Sequence, residues 1–193
     1  MTKSRIEAFS DGVIAIIITI MVLELKVPHD PSPAALYALA PVFLSYILSF
    51  VFIAIYWNNH HHMFHAVKHI RGGVLWANMH LLFWLSLIPF VTGWMGENHF
   101  AQWPVIAYAV NLLGCAIAYT ILSRSLIAAD GAGSTLAKAI GADWKGYASL
   151  AIYAISLAVA FINPLIACAG FVIVAIMWLM PDKRIERVLS RLE

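Results

Sequence analysis

Long apolar runs, separated by short polar segments, constrain this sequence more than any other feature. Hydrophobic residues make up 62% of the 193-residue chain and charged residues 11%, which is too few charges to cover a soluble domain. The runs are much longer than the roughly 10 residues of a membrane-spanning β-strand. Because lipid offers the backbone no hydrogen-bond partners, such runs must be helices. The sequence therefore predicts an all-α, polytopic membrane protein.

The spacing of these runs predicts six transmembrane helices. Their expected bounds are 6–25, 36–58, 73–95, 104–122, 147–161 and 163–180. The last two are almost continuous in hydropathy, but one crossing needs only about 20 residues. Proline removes a backbone donor and clashes with the preceding turn, so we expect Asn163-Pro164 to form a tight hairpin between two helices.

Lysine and arginine are distributed unequally between the two sides of these helices. With the amino terminus in the cytoplasm, only Lys26 falls outside. The cytoplasmic segments hold Lys3, Arg5, Lys68, Arg71, Arg124, Lys138, Lys145, Lys183, Arg184, Arg187 and Arg191. By the positive-inside rule we expect both termini in the cytoplasm and a multi-pass protein of the cell inner (plasma) membrane. The formal net charge of +2 then reflects topology and gives no reason to expect nucleic acid as a partner.

Three polar residues stand where the first helix enters the membrane. Arg5, Ser10 and Asp11 directly precede the apolar run 13–23. Because charge is costly at membrane depth unless it is paired or reaches water, such residues indicate a functional site. They also suit an interfacial helix start, in which Ser10 or Asp11 caps the helix and Arg5 reaches the headgroups. Spacing alone leaves both interpretations open.

The same stretch carries a family resemblance. The motif Arg-x-x-x-Phe-Ser-Asp at residues 5–11, continuing as Gly-Val-Ile-Ala-Ile, resembles the signature of the transmembrane protein 175 family of potassium channels. Further matches are Tyr-Trp-x-Asn-His-His at 56–61 and the segment 78–92, which contains Asn78 and ends in Pro-Phe-x-Thr. The resemblance is close over the first three predicted helices and mainly hydropathic over the last three. It implies a bacterial member with a single six-helix repeat.

One stripe of the first helix is the expected ion pathway. At about 100° per residue, Gly12, Ile16, Thr19 and Leu23 lie on the same side of the helix. Periodicity alone favours ordinary helix packing for such a stripe. The resemblance instead implies that it lines the pathway, with the constriction at Ile16 and further rings at Thr19 and Leu23. Isoleucine rings exclude water, and threonine rings offer hydroxyl oxygens to a partly dehydrated cation.

The resemblance implies a potassium-permeable cation channel with K+ as the permeant ion, no cofactor and no enzymatic activity. No Thr-Val-Gly-Tyr-Gly filter is present, which excludes the classical potassium-channel architecture. No helix carries spaced arginines, so we expect opening to be voltage-insensitive or nearly so. Single-repeat members of the family assemble as tetramers. The expected partners are therefore identical subunits in a homotetramer, the lipid bilayer and monovalent cations.

A hydrogen-bonded network is the second expectation from the resemblance. It would join the first helix to the cytoplasmic ends of the second and third and hold the first helix against its scaffold. Its expected members on the first helix are Arg5, Phe9, Ser10 and Asp11. Those on the second and third helices are Trp57, Asn58, His60, His61 and Asn78. The carboxylate of Asp11 would then be structural.

A histidine cluster at 60–69 leaves other functions open. His60, His61, His62, His65 and His69 have i,i+3 and i,i+4 spacings that suit a metal, but no Asp, Glu or Cys joins them before Glu97. We expect no metal site. The alternatives to a channel are a secondary transporter or proton-leak pathway and, with less support, a membrane metalloenzyme using the cluster 60–69. A transporter would favour paired broken helices, for which only Pro89 and Pro164 are hints.

The expected domain organisation is simple. Residues 1–182 should form the six-helix transmembrane channel domain. Residues 183–193 alternate charged and aliphatic residues and are predicted to form a short cytoplasmic amphipathic tail.

Overall fold

The computed structural model describes residues 3–67, 70–131, 133–141 and 143–180. Throughout these ranges the regular secondary structure is helical. The elements are α1 (Lys3–Leu23), α2 (Pro33–Ala38), α3 (Ala40–Ala66), α4 (Gly72–Ser86), α5 (Ile88–Glu97), α6 (Gln102–Asp130), α7 (Thr135–Ile140), α8 (Trp144–Ala160) and α9 (Pro164–Leu179). The predicted tail 183–193 lies outside the described residues. The all-α prediction is confirmed.

Four helical stretches of the described chain are long and apolar enough to cross a membrane. They are Lys3–Leu23, Ala40–Ala66, Gly72–Glu97 and Gln102–Asp130, and the third comprises α4 and α5 together. Two shorter apolar helices, α8 and α9, follow. These six stretches correspond to the six predicted ones, with shifted bounds. The largest shifts are at the ends of α3 and α6, which continue eight residues past their predicted ends at 58 and 122.

A break at Leu87 divides the third stretch, which was predicted as one helix over 73–95. Leu87 ends α4 and begins α5, and Pro89 occupies the first turn of α5. A proline in a first helical turn is tolerated because its missing N–H would be unpaired there in any case. Proline therefore restarts the helix at this point.

The predicted hairpin at Asn163-Pro164 is present. Asn163 Oδ1 accepts hydrogen bonds from the backbone N–H groups of Leu165 at 3.0 Å and Ile166 at 3.2 Å. An asparagine N-cap followed by proline at the first helical position is a strong helix start. This pair therefore ends the long apolar run and begins α9.

Two clusters of buried side chains form the core. One joins α1, α3, α4 and α6, and the other joins α3, α5, α6, α8 and α9. Helix α6 belongs to both because it packs against α4, α5, α8 and α9. Its Gly114 lies directly against the Trp84 ring, where an added Cβ would overlap the indole. Helix α1 lies at the edge of the bundle and packs on α3, α4 and α5.

Candidate functional site on the first helix

Helix α1 has one face in the core and one face uncovered. Its buried residues are Ile6, Ser10, Ile14, Ile17 and Met21, which recur every three or four positions. This spacing places them on one side of the helix. The opposite side therefore has no cover from the described part of the chain.

The predicted stripe lies on that uncovered side. Gly12, Ile16, Thr19 and Leu23 are all exposed, with Ile16 at 58% and Leu23 at 81% of their full exposure, whereas Ile17 is 3% exposed. The Thr19 hydroxyl donates to the backbone carbonyl of Ile16 at 2.9 Å. Because the proton points back into the helix, the lone pairs of Oγ1 are left for an external donor or cation. The stripe thus combines aliphatic side chains with one oriented oxygen.

A groove runs beside the stripe. It has a volume of about 720 Å³ and lies between α1, α3 and α5. Its lining includes Ile16 and Ile20 from α1 and Phe90 and Gly93 from α5. Two carboxylates, Glu24 and Glu97, also line it.

Ser10 begins one branch of buried hydrogen bonds. Asn78 Nδ2 on α4 donates to Ser10 Oγ at 3.0 Å, and Asn78 Oδ1 lies 2.8 Å from His60 Nε2 on α3. Since Asn78 Oδ1 can only accept, His60 Nε2 carries the proton. All three residues are buried, and the His60 ring stacks on Phe64. This branch joins α1, α4 and α3 through a single amide.

Asp11 begins a second branch on the other side of α1. Trp57 Nε1 donates to Asp11 Oδ1 at 3.0 Å. The Trp57 ring stacks on His61, with centroids 6.0 Å apart, and His61 stacks on His65 at 6.1 Å. This branch lies at the surface of α3. The two branches therefore fix two sides of the same helical turn.

Three predicted network members lie apart from both branches. Within the described ranges Arg5 and Asn58 are exposed, and no hydrogen bond joins either to the network. Phe9 is also exposed and flanks the stripe. A residue that sequence reasoning missed, Lys3, donates to the backbone carbonyls of His65 at 3.2 Å and Val67 at 3.1 Å.

The histidine cluster is divided by the faces of α3. His60 is buried, His62 is half-buried, and His61 and His65 are exposed. Among the described residues, no three His, Cys, Asp or Glu side chains come together in a group that could hold a metal. His69 lies outside the described residues. The cluster thus serves the described structure mainly through His60 and the stacked pair.

Two further groups of contacts, one beyond the other end of α1 and one inside the bundle, have no counterpart in the sequence reasoning. Lys26 Nζ forms an ion pair with Glu97 Oε1 at 2.6 Å, and this hydrogen bond and the charge of Glu97 raise the pKa of Lys26 above its ordinary value. In the bundle, Ser49 Oγ lies 2.6 Å from Thr92 Oγ1 and 2.8 Å from Tyr108 Oη. The one available signal was Thr92, which closes the third matched segment.

Comparisons with known proteins agree on one family. The family model "Endosomal/lysosomal potassium channel TMEM175" matches residues 5–89, a range that contains both hydrogen-bonded branches. A potassium channel of Chryseobacterium sp. (strain P1-3) is 55% identical over 190 residues, covering 98% of this chain and 99% of the relative. The endosomal/lysosomal proton channel TMEM175 of Mus musculus is 34% identical over 135 residues, covering 62% of this chain and 26% of the mouse protein.

A solved structure shares the fold. The crystal structure of a lysosomal potassium-selective channel TMEM175 homolog from Chamaesiphon minutus matches with a TM-score of 0.82 and 29% identity. The match covers 92% of this chain and 96% of that one. The similarity thus extends beyond residues 5–89 to nearly the whole bundle.

Proposed function

This chain belongs to the TMEM175 family of potassium channels, and from that premise we propose that it is a potassium-permeable cation channel of the cell inner membrane. The observation that carries the proposal is the exposed stripe of α1. A helix anchored on two sides by hydrogen bonds, with an uncovered third side of Ile16, Thr19 and Leu23, suits a pathway lining. One helix cannot enclose a path, so several copies must contribute it.

The proposed assembly is a homotetramer with α1 of each subunit around a central axis. In it the stripes converge, and Ile16 from each subunit forms a hydrophobic constriction. Thr19 then supplies a ring of hydroxyl oxygens and Leu23 an outer apolar ring. Side-chain oxygens that replace part of an ion's hydration shell give cation preference without a cage of backbone carbonyls.

The proposed topology has six spans and cytoplasmic termini. Its support is the pairing of helix ends in the structure. Lys3 at the start of α1 bonds the end of α3, and Arg124 near the end of α6 bonds Tyr147 at the start of α8. On the other side, Lys26 after α1 bonds Glu97 at the end of α5, and Gln102 bonds Phe161. Each group of contacts falls on one side of the membrane in the six-span arrangement.

The proposed opening is voltage-insensitive or nearly so. The basic residues of the four long helical stretches are confined to their ends, as Lys3 and Arg5 illustrate in α1. A voltage sensor needs several charges that move through the membrane field. The uncharged stripe would therefore respond little to potential.

Flux through liposomes tests the proposal. Purified full-length protein is reconstituted into vesicles loaded with K+, and efflux is followed with a proton-sensitive dye in the presence of a protonophore. The channel hypothesis expects K+ efflux proportional to the protein added. Replacing the protonophore with the K+ carrier valinomycin supplies the compensating K+ efflux and reads proton flux through the protein, which would identify the proton-leak alternative. Vesicles that remain tight in both measurements would refute a channel.

A further inference from the structure

Helix α5 packs against α1, α3 and α6, and it continues from α4 through a break at Leu87. It is 10 residues long and is separated from α4 by the break at Leu87. Pro89 cannot donate a backbone hydrogen bond across this break. Its neighbours include α1, α3 and α6. The position of α5 therefore depends on its side-chain contacts as well as on its junction with α4.

The first of these contacts is a buried cluster of hydroxyl groups. Ser49 Oγ on α3 contacts both Thr92 Oγ1 on α5, at 2.6 Å, and Tyr108 Oη on α6, at 2.8 Å. All three residues are buried. A buried hydroxyl that loses its partner pays a desolvation cost, so this cluster resists displacement of α5. We call it the inner anchor.

The second contact joins the other end of α5 to the segment after α1. Glu97 is the last residue of α5, and its carboxylate lies 2.6 Å from the Lys26 ammonium group. Lys26 follows Leu23, the last residue of α1, by only three positions. Three residues span at most about 10 Å, so the ion pair keeps the end of α1 close to the end of α5. We call this ion pair the outer anchor.

The space around α5 is unequal on its two sides. On the α3 side, a Cβ added to Gly96 would overlap the Ser45 hydroxyl and lie 2.8 Å from Val42 Cα. On the side of the groove, a Cβ added to Gly93 would meet no atom within 4 Å. The groove of about 720 Å³ separates this side from α1. Room for movement of α5 is therefore on the side of α1.

We propose that α5 positions the outer half of α1, with Thr92 and Glu97 as the positioning residues. The inner anchor holds α5 against α3 and α6. The outer anchor links the end of α5, through Lys26, to the end of α1. The spacing of the Thr19 and Leu23 rings, and hence flux and cation preference, then depends on both anchors. This inference rests on the proposed function, because it needs α1 to line the pathway.

Two variants separate the anchors, and a third is a matched control. Thr92→Val keeps the shape and removes the hydroxyl of the inner anchor. Glu97→Gln keeps the size and removes the charge of the outer anchor. Ser86→Ala is the control, since its hydroxyl lines the same groove but donates only to Phe83 O within its own helix.

The measurement is K+ and Na+ flux per folded oligomer in liposomes, with oligomer content determined by size-exclusion chromatography. Loss of the buried inner anchor in Thr92→Val should change flux by about five-fold and shift the K+/Na+ ratio. Loss of the outer anchor in Glu97→Gln should change both by about two-fold, because an exposed ion pair contributes less. Ser86→Ala should match the wild type. Reversing the ion pair with Lys26→Glu and Glu97→Lys together should restore both values, whereas either reversal alone should not.

The dependence of flux on ionic strength distinguishes a positioning role from a merely structural one. An exposed ion pair is screened by salt, whereas a buried hydroxyl contact is not. Raising the concentration of an impermeant salt should therefore make wild type and Glu97→Gln alike, while Thr92→Val stays different. If the wild type conducts and both variants have the same flux and the same ion ratio as the wild type, the positioning role is wrong. Loss of oligomer with normal flux per oligomer would do the same, and absence of flux in the wild type would instead refute the channel itself.

Discussion

Trp57 on α3 donates its indole hydrogen to Asp11 on α1 across 3.0 Å. The residue before Asp11 is Ser10, whose hydroxyl accepts from Asn78 on α4. Two consecutive residues of α1 thus bind two different helices. Because their side chains diverge by about 100°, the helix can neither rotate nor slide without breaking one of the bonds. This constraint acts together with the buried face of α1, and both leave Ile16 on the outward side.

Asp11→Ala should reduce oligomer recovery more than it changes ion preference. It leaves the Trp57 N–H without its carboxylate acceptor, and loss of this surface hydrogen bond costs about 0.5 to 1.5 kcal/mol. Size-exclusion chromatography and thermal unfolding in detergent measure the loss. Trp57→Phe, which keeps a stacking ring beside His61, should reproduce it. Normal assembly with reversed cation and anion preference would place Asp11 in the pathway instead.

Asn78→Leu should destabilise the protein about twice as much as Ser10→Ala. The leucine leaves both the His60 Nε2–H and the Ser10 hydroxyl without their Asn78 partner, whereas the alanine leaves only one Asn78 N–H unpaired. Each buried group that loses its partner costs about 1 to 3 kcal/mol. Thermal unfolding followed by tryptophan fluorescence compares the two. Equal melting temperatures would show that His60 finds another partner.

Ile16→Asn should raise flux and weaken the preference for K+ over Na+. It replaces a ring that repels water with amides that solvate small cations. Val22→Asn is the matched control, because Val22 is also exposed but points about 120° away from Ile16. Ile17→Asn should chiefly lower stability, since Ile17 is buried in the core. If Ile16→Asn leaves the preference for K+ over Na+ unchanged and Val22→Asn alters it, a different face of α1 lines the pathway.

Thr19→Val should change the ranking of cations with little effect on assembly. The substitution keeps the branched shape and removes the oxygen, and Thr19 is exposed in the single subunit. Relative flux of K+, Na+ and Cs+ through liposomes gives the ranking. If the ranking is unchanged while recovery falls, the hydroxyl serves packing between subunits and not the ion.

Cysteine labelling from one side tests the topology. In a background without Cys115 and Cys168, Asn98→Cys should react with an impermeant maleimide in intact cells, because it follows the proposed outer end of α5. Ser134→Cys, between α6 and α7, should react only after the membrane is opened. The reverse pattern would place the termini outside.

The local properties of the sequence determined the helical class, the approximate positions of the apolar helices and the break at Asn163-Pro164. Apolar length and proline chemistry act over neighbouring residues, so they can be read without knowing the fold. The helical period likewise predicted that Gly12, Ile16, Thr19 and Leu23 lie on one side of the first helix. That Ser10 and Asp11 needed partners also followed from their place at a membrane boundary, and the family resemblance indicated where to look for them.

Only the tertiary structure decided which partners meet. Asn78 forms hydrogen bonds with both Ser10 and His60, and Trp57 forms one with Asp11, because α3 and α4 pack on different sides of α1. The Ser49 cluster and the Lys26–Glu97 pair join residues separated by 43 to 71 positions, and no local pattern specifies such pairs. Likewise, α6 continues past 122, and its Arg124 donates a hydrogen bond to Tyr147 on α8, a contact that hydropathy does not predict. A residue's apolar character is set by its own chemistry, but its neighbours are set by how distant helices pack.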